Sequence, residues 1–160
     1  MIGPLCAGKT TISGHLRSAP VAVIDLDEEL VRLNGGVYPD LETRRTVTAP
    51  LALANASAMT EVIVLHSTLD VGDVLALKAA GFTTALLEVS PSELRRRHRV
   101  RLEEEGWTNE AWFDDNQALM AELRQHRLFD HVVDAERDPA FVAADLLGLI
   151  AASGPTAHHL

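Results

Sequence analysis

A single cysteine among 160 residues leaves no partner for an internal disulfide. The lone thiol, Cys6, fits a reducing compartment. Aromatic residues make up only 4% of the chain, so the core must be mostly Leu, Val, Ala and Ile. Positive charge is also scarce: 14 Lys and Arg against 23 Asp and Glu give a formal charge of −9. That balance argues against a general nucleic-acid or membrane-surface binder. No apolar run is long enough to span a bilayer, and no secretory leader pattern is visible. A cytoplasmic location is therefore expected. No repeat, linker or low-complexity block breaks the pattern. The apolar share of 47% is that of a globular protein. The expectation is a single domain over 1–152 and a flexible tail over 153–160.

Against this background the stretch Gly3-Pro4-Leu5-Cys6-Ala7-Gly8-Lys9-Thr10 is the most informative in the chain. It fits G-x-x-x-x-G-K-[ST], a phosphate-binding loop. Gly3 and Gly8 can take backbone angles that a side chain forbids. Successive N–H groups around Ala7 and Gly8 can then turn inward as an anion-binding nest. A helix starting near Lys9 adds the positive end of its dipole. Lys9 can reach the β- and γ-phosphates of ATP, and the Thr10 hydroxyl can ligate Mg²⁺. Thr11 is assigned to the α-phosphate. Only Met1 and Ile2 precede the motif, fewer than a usual strand of about five residues, so the first strand is expected to be truncated. Lys9 to Arg17 has helical spacing, with Ile12 and Leu16 on one face, and Ser18-Ala19-Pro20 ends it.

Val21 to Ile24 is a continuous apolar run, as in a strand buried on both faces of a parallel sheet. It ends in Asp25-Leu26-Asp27, and a short helix follows to Leu33 before Asn34-Gly35-Gly36. Ligands of open α/β sheets lie beyond the carboxyl ends of the strands. Of the two acids, one is expected to cap the helix. Asp25 is the candidate for Mg²⁺. Asp27 is the candidate to orient an acceptor hydroxyl and take its proton late in transfer. The insert at about 34–60 suits acceptor-binding helices, with Pro50 interrupting them. Within it Arg44 and Arg45 suggest an anionic acceptor, because guanidinium pairs with carboxylate or phosphate in a fork.

Val62 to Leu65 is a further buried strand, ending at His66-Ser67-Thr68; His66 reads as structural. Asp70 starts the next helix, over Val71 to Ala80. Phe82 to Val89 is a strand, and Ser90-Pro91 opens a long arginine-rich helix. There Arg97 and Arg101 share a face, and a lid region at about 95–110 pivots on Gly106. Arginines on a lid can neutralise charge in a transition state and help exclude water. Thr108 to His126 is a helix with Trp112, Leu119, Met120 and Leu123 as apolar positions. His131 to Asp134 is the last strand. The helix Ala140 to Ala152 turns Phe141, Val142, Leu146, Leu147 and Ile150 toward the core.

Alternating strands and helices imply right-handed crossovers and a parallel sheet. The chain resembles the small P-loop kinases: the shikimate, gluconate, nucleoside and nucleoside-monophosphate kinases. The resemblance rests on the loop at 3–10, Asp25-x-Asp27, the arginine-rich helix at 91–105, and the closing strand and helix at 129–152. It implies the three-layer α/β P-loop NTPase fold, with a parallel sheet of about five strands and helices on both faces. It also implies an ATP- and Mg²⁺-dependent kinase of a small metabolite. By the same resemblance, Asp25 lies near Mg²⁺ and Asp27 faces the acceptor. Arg44 or Arg45 matches a substrate-carboxylate arginine. The loop Ala135 to Pro139, with Arg137, lies near the adenine. The beginning of the chain and Asp25-Leu26-Asp27 look most like shikimate kinase. However, His66-Ser67-Thr68 stands where a glycine-rich turn is expected, and the Arg-Pro lid pattern is absent, so shikimate itself is not assigned. Two other classes fit parts of the pattern: a nucleotide-binding regulatory ATPase without a small acceptor, and a nucleic-acid end kinase built on the arginine helix.

Overall fold

The computed structural model describes residues 1–59, 61–66, 70–106 and 110–153. The elements in chain order are α1 (Lys9–Leu16), β1 (Ala22–Asp25), α2 (Leu26–Leu33), α3 (Leu41–Thr43) and, after a π-helical turn (Arg44–Thr48), α4 (Ala49–Ser57). There follow β2 (Val62–Leu65), α5 (Val71–Ala79), β3 (Ala85–Glu88), α6 (Pro91–Glu105), α7 (Glu110–Gln125), β4 (His131–Asp134) and α8 (Pro139–Ser153). The chain divides into two compact units, Met1–Lys9 with Leu65–Glu136 and Thr10–Val64 with Arg137–Leu160.

In the first unit β3 and β4 are parallel, from Ala85 opposite His131 to Glu88 opposite Asp134. Ile2 replaces a first strand. It bridges in parallel to both His66 and Leu86. The Ile2 N–H donates to the Ala85 carbonyl at 2.8 Å, and the Leu87 N–H donates to the Ile2 carbonyl at 2.7 Å. The truncated strand is thus one residue with a neighbour on each side. Among the described residues the sheet expected from the sequence takes the form of two two-stranded pairings and these bridges. Ile2, Leu86 and Leu87 are almost fully buried, as their apolar run predicts. β3 begins at Ala85 rather than Phe82 because Thr84 is held otherwise. Its N–H donates to Asp130 Oδ2 at 2.8 Å, and Lys78 pairs with the other oxygen of that carboxylate. His66 is buried beside Ile2, in keeping with a structural role.

The helix ends of this unit follow their sequence signals. Asp70 and Asp73 form a reciprocal capping box on α5. Ser90 caps α6, and Pro91 occupies its first turn. Gly106 closes α6 with a left-handed φ of 67°.

In the second unit β1 pairs with β2. Ile12 and Leu16 of α1 and Leu26 and Leu30 of α2 are buried at i, i+4 spacing. Pro50 does not interrupt the insert. It lies in the first turn of α4, which continues the π-helical turn without a break, Thr48 itself being helical at φ −75° and ψ −41°. Just before it the ladder widens, with the Ala49 N–H reaching the Arg44 carbonyl. On α8, Val142, Ala143 and Leu146 are buried, but Phe141 is 63% exposed. The buried stripe runs through 142 and 146, and Phe141 falls beside it with the Arg137 guanidinium 6.0 Å from its ring centre. Ser67, Thr68, Trp107, the lid positions 107–109, the Trp112 side chain and the tail over 154–160 lie outside the described residues.

Candidate functional site

The glycine-lysine loop belongs to the first unit up to Lys9. Gly8 has φ 91° and Cys6 has φ 63°, so two left-handed residues curl the chain over three positions. Such a curl brings successive N–H groups to one side. Gly3 differs from the expectation, because its φ is not in the left-handed region. Its missing side chain serves packing instead. A Cβ there would meet Leu87 Cβ at 3.0 Å and Ala7 Cβ at 3.3 Å.

Lys9 reaches back across the loop. Its ammonium donates to the Gly3 carbonyl at 2.7 Å and the Pro4 carbonyl at 2.8 Å. This places a positive charge within the loop. The Pro4 carbonyl also accepts the Ala7 N–H at 3.1 Å.

Two longer-range contacts hold the loop. Asn116 of α7, itself 2% exposed, accepts the Leu5 N–H on Oδ1 at 2.6 Å. Arg97 of α6 donates from Nη1 to the Ala7 carbonyl at 3.3 Å, from Nη2 to the Ala135 carbonyl at 3.0 Å, and from Nε to Glu93 at 2.8 Å. Glu93 also takes Arg96 in a two-point pair, with both contacts at 2.7 Å. The Arg96 and then the Arg97 guanidinium hold the Glu93 carboxyl down at about 2. The arginine run is thus partly self-paired, and Arg97 is joined to the loop. Arg101 lies one turn farther along α6, half-buried.

In the second unit, Thr10 and Thr11 continue the motif into α1 and are exposed. Asp25 closes β1 and caps α2, accepting the Asp27 N–H at 3.0 Å. That is the capping expected of one of the pair. A carboxylate has about four acceptor positions, so one cap leaves capacity for a cation. Asp27 takes the Tyr38 hydroxyl at 3.3 Å. Arg44, half-buried, and Arg45, exposed, lie in the π-helical turn, a feature frequent at functional sites. Arg137 is paired with Asp145 of α8.

Sequence reasoning missed two of these residues. Asn116 had a readable signal: with Phe113, Met120 and Leu123 it forms one buried stripe of α7, so it is a polar residue on an apolar face. Tyr38 had none beyond its place in the insert.

No group of three or more metal-ligating side chains occurs among the described residues. A fit to Mg²⁺ therefore has to be judged as for a metal bound mainly through phosphates and one or two protein oxygens. The exposed Thr10 hydroxyl after the loop and the Asp25 carboxylate at a strand end are oxygens of that kind. No helix among the described residues is long and apolar enough to cross a membrane.

No family model matches the sequence, and no curated protein matches it. Solved structures do. A shikimate kinase from Bacteroides thetaiotaomicron superposes with a TM-score of 0.65 at 21% identity, over 94% of this chain and 97% of its own. A shikimate kinase from Acinetobacter baumannii, solved with shikimate, gives 0.66 at 18% identity, over 96% and 92%. A gluconokinase from Sinorhizobium meliloti 1021 gives 0.61 at 15% identity, over 95% and 90%. With the Gly3–Thr10 loop and the parallel strands, these likenesses show that the chain has the α/β fold of the small P-loop kinases.

Proposed function

We propose that the protein is a small-molecule kinase that moves the γ-phosphoryl group of ATP to a hydroxyl- or phosphate-bearing, anionic metabolite. The observation that carries the reading is the loop itself. It is curled by left-handed residues at 6 and 8 and holds the Lys9 ammonium against its own carbonyls. A triphosphate tail needs inward N–H groups and a nearby cation, and the sequence from Gly3 to Thr10 supplies both. The kinase likenesses above have the same fold, which is why transfer is preferred to hydrolysis alone.

Phosphoryl transfer asks a protein mainly for positioning and charge stabilisation. In this reading Gly8 and Lys9 offer N–H groups to the phosphates, while the N–H of Ala7, also expected there, is taken by the Pro4 carbonyl; the Lys9 ammonium lowers the phosphates' negative charge. Thr11 contacts the α-phosphate. Thr10 and Asp25 hold Mg²⁺, directly or through its water. That ion would draw charge from the β- and γ-oxygens. Asp27 orients the acceptor hydroxyl and takes its proton, and the Tyr38 hydroxyl fixes the carboxylate that does so. Arg44 and Arg45 pair with the acceptor's anionic group. Arg97 and Arg101 stabilise charge near the loop, with Arg97 also holding the loop in shape. The backbone of 135–139, beside Arg137, supports the base.

The test combines Mg·ATP calorimetry with an acceptor panel and labelled ATP. Lys9→Ala should abolish turnover in folded protein. Asp27→Asn should lower kcat about 10²-fold or more, the lower end of what general acid–base catalysis contributes, with little change in ATP affinity. Folded wild-type protein that gives no heat with Mg·ATP would refute the reading. Label released only to water would favour the ATPase alternative.

A further inference from the structure

The geometry points to Asn116 as a positioning residue of the phosphate loop, acting with Arg97 as an external clamp on two of its peptide planes. The inference rests on the proposed nucleotide-binding role of the loop. Among the described residues no peptide is cis, so across each of these peptide planes the C=O and the following N–H point in opposite directions. Consider the Pro4–Leu5 peptide. Its N–H is taken by Asn116 Oδ1 at 2.6 Å, and its C=O accepts the Lys9 ammonium at 2.8 Å. Holding one end of the plane aims the other, so Asn116 fixes the carbonyl on which Lys9 rests. Consider next the Ala7–Gly8 peptide. Its C=O accepts Arg97 Nη1 at 3.3 Å, which turns the Gly8 N–H the other way. That N–H is one of the donors the motif offers to a phosphate.

The two clamping side chains come from successive helices, α6 and α7, which are themselves joined. His98, next to Arg97, stacks on Phe113, one turn before Asn116, with ring centres 4.2 Å apart and planes at 19°. Asn116 and Phe113 are both buried, so neither can swing away without opening the packing of α7. The clamp thus fixes in advance an orientation that phosphate would otherwise have to impose, and a preorganised site binds more tightly. Asn116 does not touch substrate in this account. It acts through Leu5, Pro4 and Lys9.

The experiment compares wild type with Asn116→Leu, which keeps the branched four-atom shape and removes the acceptor, and Asn116→Asp, which keeps the acceptor. The readouts are amide exchange at Leu5 to Lys9 and the Kd for Mg·ATP. Asn116→Leu should speed exchange at Leu5 relative to β4. It should also raise Kd about tenfold, within the cost of an unpaired buried donor. Asn116→Asp should recover most of the affinity. A fall in melting temperature with unchanged loop exchange and Kd would overturn the clamp and leave Asn116 a packing residue. Faster loop exchange in a variant whose wild type binds no Mg·ATP would uphold the clamp and refute the nucleotide reading. If the leucine variant does not fold, exchange in the wild type decides. A Leu5 amide as protected as those of α7 supports the clamp, and one that exchanges like an open loop overturns it.

Discussion

Replacing Gly3 by alanine separates two reasons for a glycine at this position. If Gly3 served only backbone freedom at an ordinary negative φ, alanine would stiffen the unfolded chain and stabilise the fold by about 0.4–1 kcal/mol. The packing gives the opposite sign. The added Cβ would lie 3.0 Å from Leu87 Cβ and 3.3 Å from Ala7 Cβ. Ordinary carbon contacts are about 3.5–4.0 Å, so the nearer neighbour must retreat by a few tenths of an ångström. Leu87 cannot turn away, because the clash is with its Cβ, which moves only with β3. That strand is tied to Ile2 by the 2.7 Å bond from the Leu87 N–H. Overpacking of this kind costs about 1–3 kcal/mol. At roughly 2–4 °C per kcal/mol for a chain of this size, the melting temperature should fall by about 2–12 °C. Calorimetric melting of Gly3→Ala beside Gly14→Ala is the assay. Gly14 lies within α1 with no atom within 4 Å of its would-be Cβ. That control should gain about 1 kcal/mol from helix propensity. A Gly3→Ala protein that melts at or above wild type would refute the close approach of the loop to β3.

Two further outcomes concern the same unit. Cys6 is held at φ 63°, where a side chain costs roughly 1–2 kcal/mol and glycine nothing. Cys6→Gly should therefore raise the melting temperature by a few degrees even after the added freedom of the unfolded chain, and a decrease would show that the thiol packs more than its backbone strains. Asp130 gives a pH signature. Burial opposes its ionisation, but Lys78 and Thr84 outweigh this and lower its carboxyl from 3.8 to about 2. A lowered pKa stabilises the fold above the unfolded value and loses that contribution as pH falls through the folded one. The shift corresponds to about 2 kcal/mol, reduced to about 1 because the carboxylate is one-third exposed. Urea melts should show wild type above Asp130→Asn by that amount near pH 6, with the gap closing between about pH 4 and 2. A gap that does not change with pH would rule out the charge as its source.

How far the sequence could be read depended on the range of each signal. Local periods and breakers were sufficient for a cap by one of Asp25 and Asp27, the helix starts at Asp70 and Ser90, the arginine-rich helix over 91–105 and the buried pair Ile12–Leu16. Pro50 was expected to interrupt the insert, but the helical backbone runs past it from the π-helical turn into α4, and only the hydrogen-bond ladder, widened beside it, shows how. Phe141 was misassigned because an α-helix of apolar residues offers more than one possible buried face, and burial of Val142 and Leu146 selected the other. Arg97 was singled out in the sequence as a lid cation, but its three bonds to Ala7, Ala135 and Glu93 were not legible there.

What the order of residues determined by itself was the kind of fold and the candidate phosphate loop. The Gly3–Thr10 motif and the alternation of apolar strand runs with helical periods are written within short windows, and the backbone obeys them locally. Tertiary structure decided what holds the loop. Leu5 and Asn116 are 111 residues apart, and no period or motif connects them. Their bond follows from where α7 packs, because a buried N–H must find an acceptor among whatever residues the fold brings beside it.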